Sequence, residues 1–337
     1  MQNPGTNGAF ARVLLSDRSN RASASVLCAT VAILFVVALI ASTPASAADF
    51  TVQNGQTVAQ QSLTTPGDVG TIDSGGTINT AADGVIDVGT VNNLTVINNG
   101  TIISTNNDGI DIDGDNGVIV NNGTITAGDD GIDGGNNNNI TNTGTIDASV
   151  GDDGINVDND NVINNSGTIL ADDEGVEIDN NNTLINSGLI SSNGGEAIEA
   201  DNNNRIENSG TIRNTGNDDA ISLDRNNIVI NSGLITSRTR DGIDGNNRNT
   251  VINSGIIRGA NGVGDDGIDL NNRSLVINSG LVEGRRGIEL NSVVGGGQGS
   301  TIINSGTIRS LNGPTGSAIQ YNGNKPDTLT LLTGSVI

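Results

Sequence analysis

The sequence predicts an all-β fold, a right-handed parallel β-helix with three short strands per coil and about eleven coils of 21–26 residues. Three observations predict it. The pattern Asn-x-Gly-x-(Ile/Val) returns with its glycine at Gly100, Gly123, Gly144, Gly167, Gly188, Gly210, Gly233, Gly255, Gly280 and Gly306, at spacings of 23, 21, 23, 21, 22, 23, 22, 25 and 26. Each repeat holds three apolar pieces of three or four residues, too short for helix and dominated by Ile, Val and Thr, as strands prefer. Finally, 48 glycines with many Asn and Asp point to frequent turns, while 1% aromatic residues and no Trp leave an ordinary globular core without its large fillers.

Residues 1–47 read as a secretory signal peptide. Arg12, Arg18 and Arg21 make its start basic, Val26 to Ala41 is mostly apolar, and Ala45-Ser46-Ala47 offers a small-x-small site that places cleavage before Ala48. The apolar run of 16 residues is shorter than the ~17–25 of a spanning helix. The one Cys, Cys28, lies in this leader and the chain has no His. The mature chain is therefore expected to lack disulfides, zinc sites, thiol nucleophiles and imidazole bases. Residues 48–75 are irregular and low in charge; they read as an N-terminal cap that covers the open strand edges of a stack. Residues 76–337 form the β-helix.

Within the repeat that begins at Gly167, the pieces are Thr168-Ile169-Leu170, Gly175-Val176-Glu177-Ile178 and Leu184-Ile185-Asn186. Alternation along each piece sends one set of side chains inward. The residue two after the glycine is always aliphatic, from Ile102 to Ile308, as is the residue four before it, from Val96 to Ile302. The middle piece adds inward pairs such as Ile110/Ile112 and Val176/Ile178. One repeat cannot bury these residues alone; repeats stacked ~4.8 Å apart can. The Asn two before each glycine has inward parity, so the column from Asn98 to Asn304 is expected to form an internal amide ladder. The glycine beside it is expected to supply a backbone angle that other residues resist. Insertions such as Arg258 to Gly264 belong on loops outside the rod.

Acids flank the middle piece in three columns. Asp108, Asp130, Asp153 and Glu174 precede it, Asp111, Asp133 and Glu177 point outward from it, and Asp113, Asp158 and Asp179 follow it. Like charges at strand spacing repel by about 0.9 kcal/mol per pair in bulk water. These ten residues are candidate Ca²⁺ ligands, because calcium takes carboxylate and carbonyl oxygens in flexible geometry; a solvated face with diffuse counterions is the alternative. From Ala48 to Asn204 there are 25 acids and no Lys or Arg, a net of −25; from Arg205 onward 12 acids and 12 bases cancel. Such acidity disfavours nucleic acid and anionic lipid as partners, and arginines such as Arg213, Arg240 and Arg258 are expected to balance acids on neighbouring coils. Paired acids such as Asp129/Asp130 and Asp152/Asp153 resemble glycosidase acid/base pairs, but they recur in coil after coil, which an active site does not need. A polysaccharide-active enzyme, lyase or hydrolase, is the alternative to a non-catalytic rod, and a calcium-loaded structural spacer is a second.

The repeated Asn-Ser-Gly-Thr-Ile after a long leader resembles the passenger region of bacterial autotransporters (type V secretion). The closing stretch from Asp327 to Ile337 looks like the last coils of such passengers. The resemblance covers residues 76–337. It implies a rod exported through an outer-membrane translocator barrel to the cell surface or beyond, for adhesion, aggregation or contact with a host or neighbouring cell, without membrane insertion of the mature rod. The barrel needs alternating, aromatic-girdled strands; none is read up to Ile337, so either the barrel is expected outside this chain, which is then a truncated product, or the rod is secreted by another route.

Overall fold

Three parallel sheets of 13, 12 and 12 strands run side by side along one axis, and the chain visits them in strict rotation. The computed structural model describes residues 49–292, 298–323 and 325–337; the leader expected at 1–47 lies outside the described residues. Each strand pairs with the equivalent strand one turn earlier and one turn later, residue on equivalent residue. Ile163 sits beside Leu184, Leu184 beside Ile206, and Ile206 beside Val229. The result is a β-solenoid of about twelve turns; among the described residues there is essentially no helix, apart from one short 3₁₀ turn, Gly313–Thr315.

The twelfth turn comes from the segment read as a cap. Within residues 48–75, Phe50–Val52, Thr57–Val58 and Gln61–Leu63 already pair with Val69–Ile72, Thr77–Thr80 and Val85–Asp87. This first turn lacks the Asn-x-Gly signature because its corner is built differently. Val52 and Ile72 hold the inward position that Asn98 takes one turn later.

The inward columns are aliphatic. Ile102, Ile125, Ile146 and Ile169 are fully buried in the second sheet, as are Ile110, Ile132, Ile155 and Val176 in the third. The asparagine ladder is present as expected. Each Nδ2 donates to the Oδ1 of the next Asn at 2.8 Å, from Asn98 through Asn121, Asn142, Asn165 and Asn186 to Asn304. The same amides also reach backbone carbonyls, as Asn165 does to Leu189 O at 3.1 Å. An amide is donor and acceptor at once, so a column of identical amides satisfies itself without water.

The glycines do something other than expected. Gly100 to Gly306 have no left-handed φ. Instead, a Cβ on any of them would collide with the carbonyl oxygen of the equivalent glycine one turn earlier, as Gly167 would with Gly144 O. They are glycines because two backbones meet there. The left-handed corner lies elsewhere, between the third and first sheets. Asn116, Asn137, Asp160, Asn181, Asn203 and Asn226 hold φ of 58–63° there, and Arg248 and Arg273 extend the column at 67° and 63°. Asn and Asp tolerate that conformation better than most residues.

Asn165→Ala removes an acceptor from Asn142 and a donor from Asn186 and Leu189 inside a dry core. Stability is expected to fall by about 2–5 kcal/mol, read as a lower urea midpoint, while Ser166→Ala on the exposed side of the same corner stays near wild type.

Candidate functional site: the acidic face

The third sheet carries the acids on its outer side and at its leading edge. In the turns around Ile110–Ile112 and Ile132–Gly134, Asp111 and Asp133 point outward and sit beside each other in register. Asn156 follows in the same column and separates Asp133 from Glu177. Its amide donates to Glu177 Oε2 at 3.0 Å and to Asp153 Oδ2 at 3.1 Å. An amide thus relieves carboxylates that would otherwise stack on each other.

The leading column is a ladder in its own right. Asp108 Oδ1 accepts the backbone N–H of Asp130 at 2.9 Å, Asp130 that of Asp153, and Asp153 that of Glu174, each at 2.9 Å. Farther along, Asp219 accepts the N–H of Asp241 at 2.7 Å and Asp241 that of Asp266. These acids are structural as well as charged: one oxygen closes the loop of the next turn and the other faces neighbouring side chains, as Asp153 Oδ2 does when it accepts from Asn156.

Burial and mutual repulsion hold their protons on. Burial is the larger cause, and neighbouring acids add to it. It pushes Asp108 and Asp133 to about 6, and Asp111 and Asp130 to about 7. Asp153 and Glu174 are both raised, chiefly by burial, and share a hydrogen bond between their carboxyls. Asp179 is also raised, by burial and then by Asp201 and Asp158. Asp219 and Asp269 reach about 7, and Asp241 about 9, again mainly through burial.

The register gathers several acids into triads that place one carboxylate oxygen each within 4.8 Å of the others: Asp83/Asp108/Asp111, Asp87/Asp111/Asp113, Asp108/Asp129/Asp130, Glu174/Glu196/Glu199 and Glu196/Asp218/Asp219. An ion ~2.4 Å from each oxygen spans that separation. Five of the ten predicted residues, Asp108, Asp111, Asp113, Asp130 and Glu174, belong to these triads. Asp133, Asp153 and Glu177 stand in the same columns, and Asp158 and Asp179 lie past the strand, where Asn136 donates to Asp158 Oδ2 at 3.4 Å. The ten predicted by sequence reasoning did not include Asp83, Asp87, Asp129, Glu196, Glu199, Asp218 or Asp219, because which acids meet depends on loop lengths between turns.

Two further features escaped it. A second buried amide column runs just before the first-sheet strands. Asn138, Asn161, Asn182, Asn204, Asn227 and Asn249 each accept the backbone N–H of the preceding turn at 2.5–2.8 Å. Ser274, Ser300 and Asp327 continue it. Its signal was an Asn four residues before the ladder Asn from Asn142 to Asn253, hidden within Asn-rich runs. The other feature is Arg286, which sits in register with Asp266 in the leading acid column. Its Nε donates to Asp266 Oδ1 at 2.8 Å and its Nη1 to Glu289 Oε1 at 2.7 Å. In the second sheet, Glu283 lies between Arg258 and Arg309; burial opposes its charge, but the two guanidiniums win and lower its pKa. Arg258 thus balances an acid as expected, whereas Arg213 bonds Ser191 Oγ and Arg240 the carbonyl of Asn217.

Comparison of the chain with family models, curated proteins and solved structures finds no match in any of the three.

The raised acids fix a pH dependence. Their folded-state pKa lies above the unfolded value, so the stability they contribute is complete below about pH 4 and is lost as pH rises through 6–7. In chelator, the unfolding temperature is expected to fall between pH 5 and pH 8; thermal scans across that range check it, and a flat or rising profile contradicts it.

Proposed function

We propose that this chain is an exported, non-catalytic β-helical rod that acts by surface contact at or beyond the cell surface, in adhesion, aggregation or contact with a host or neighbouring cell. The observation that carries the reading is the uniformity of the stack. Its acids recur turn after turn in the same columns, an arrangement suited to an extended surface rather than to one reacting centre. The absence of His and the single Tyr between Ala48 and Ile337 leave few groups for general acid–base work or for sugar stacking. The resemblance to autotransporter passengers supports export, and an outer-membrane translocator barrel is the partner it calls for. Among the described residues no helix is long and apolar enough to cross a membrane.

Surface labelling of intact native cells, with N-terminal sequencing of the released protein, tests the reading. A mature start at Ala48 and labelling without permeabilisation are expected. Turnover of acidic or neutral polysaccharides by the purified rod would overturn it in favour of a lyase or hydrolase.

The acid triads favour a second element, a calcium-loaded face that stiffens the rod as a spacer. Above pH 7, where Asp108, Asp111, Asp130 and Asp133 lose their protons, Ca²⁺ takes over the neutralising role. At pH 8, saturating Ca²⁺ is expected to raise the unfolding temperature by several degrees over chelator, because a ligand at ~100 times its Kd adds ~2.7 kcal/mol per site. Asp108→Asn combined with Asp111→Asn is expected to reduce that gain. No shift on adding Ca²⁺ leaves the face to diffuse counterions.

A further inference from the structure

The three sheets present different outer surfaces. The third is acidic, and the second carries Asp147, Arg213, Arg258 and Arg309 among its outward positions. The first is different. From Val69–Ile72 to Thr328–Leu331, the only charged residues at its outward positions are Arg205 and Glu207, which neutralise each other at 2.7 Å. The rest are Thr, Asn and aliphatics. In the last third of the rod the aliphatics dominate: Ile228, Ile230, Ile252, Leu275, Ile277 and Ile303 point away from a core already filled by Val229, Val251, Val276 and Ile302. Ile230, Ile252, Ile277 and Ile303 stack in register as one continuous row.

Strand propensity does not account for this row. A β-branched residue is preferred on a pleated surface, but Thr meets that preference, and Thr141 and Thr330 hold the same position in other turns. Ile228, beside the row, is 37% exposed and the row itself is half-buried, and contiguous apolar surface of this kind marks contact sites.

We propose that the outer face of the first sheet is a self-association surface on which two copies of this chain pack side by side, sheet on sheet. Charge selects the partner. The chain carries a net −23, and two copies repel least where they meet on a side without net charge; the first sheet, whose one outward carboxylate, Glu207, is paired with Arg205, is that side. Shape and size agree. The face is in register along its length, as aligned sheet packing requires. Twelve strands at ~4.8 Å spacing and four residues of ~3.3 Å each give about 700 Å², close to the ~800 Å² per partner of a standard interface. The pairing rests on this face alone and holds whatever the rod's localisation.

Sedimentation equilibrium of the purified chain in chelator tests it. A monomer–dimer equilibrium with a micromolar dissociation constant is expected, and it tightens as salt screens the long-range repulsion between the acidic faces. Ile230→Thr/Ile252→Thr/Ile277→Thr is expected to weaken pairing at least tenfold, and the Ile→Glu version of the same triple to abolish it, both with the wild-type circular dichroism spectrum. Thr168→Glu, on the second sheet, leaves the dissociation constant unchanged. If the Glu triple does not fold, the Thr triple decides alone. A wild-type chain that stays monomeric into the hundreds of micromolar, a folded triple variant that pairs like wild type, or equal weakening by Thr168→Glu overturns the proposal.

Discussion

Every residue in this rod has its own counterpart as a neighbour, one turn along and about one strand spacing away. That constraint decides what each column tolerates. Aliphatic side chains stack on themselves without cost, and most inward positions are Ile, Val or Leu, with Gly134, Ala200 and Gly245 interrupting one column of the third sheet. An amide can donate to its own kind and accept from it, so Asn fills a buried column from Asn98 to Asn304 with every link at the same 2.8 Å. Where two backbones touch, only the absence of a side chain fits, and the column is glycine.

A carboxylate is the one common group that cannot stack on itself, because it accepts without donating and repels its copy. The third sheet meets this difficulty in four ways. Backbone N–H groups donate to one oxygen of Asp108, Asp130 and Asp153. Asn156 interrupts the outward column. Burial and neighbouring acids raise Asp111 and Asp130 to about 7, so protons relieve the repulsion as pH falls below that value. Near the end of the rod Arg286 enters the column itself and takes both Asp266 and Glu289. Between Ala48 and Asn204 the chain supplies no cation of its own, and there the proposed calcium has its place. The same logic separates the faces: charge is concentrated where counterions can reach it, and the first sheet is left neutral.

Much of this was legible in the sequence because the period and the inward parity are properties of the chain alone. The three-strand turn, the aliphatic columns and the Asn ladder all follow from counting. The first turn was not legible, since Val52 and Ile72 stand where the signature Asn stands later. The role of Gly167 and its equivalents was misassigned because sequence does not distinguish a glycine needed for φ from one needed for a close approach. The acid columns could be drawn, but not their triads. Asp83 meets Asp108 and Asp111 only after the loops fix which turn faces which. Arg286 shows the same limit: its sequence neighbours do not reveal that it stands on Asp266.

If self-stacking is the governing constraint, a whole turn is a removable unit and a fraction of one is not. Asn165 and Asn186 are ladder neighbours 21 residues apart, so deleting residues 165–185 joins Asn164 to Asn186 and restores every column. Far-UV circular dichroism and thermal unfolding of that variant, beside one lacking only residues 165–184, measure this directly. The full-turn deletion is expected to keep a β spectrum and a cooperative transition, and the shorter deletion to lose both. Equal loss in the two, or equal tolerance, contradicts the constraint.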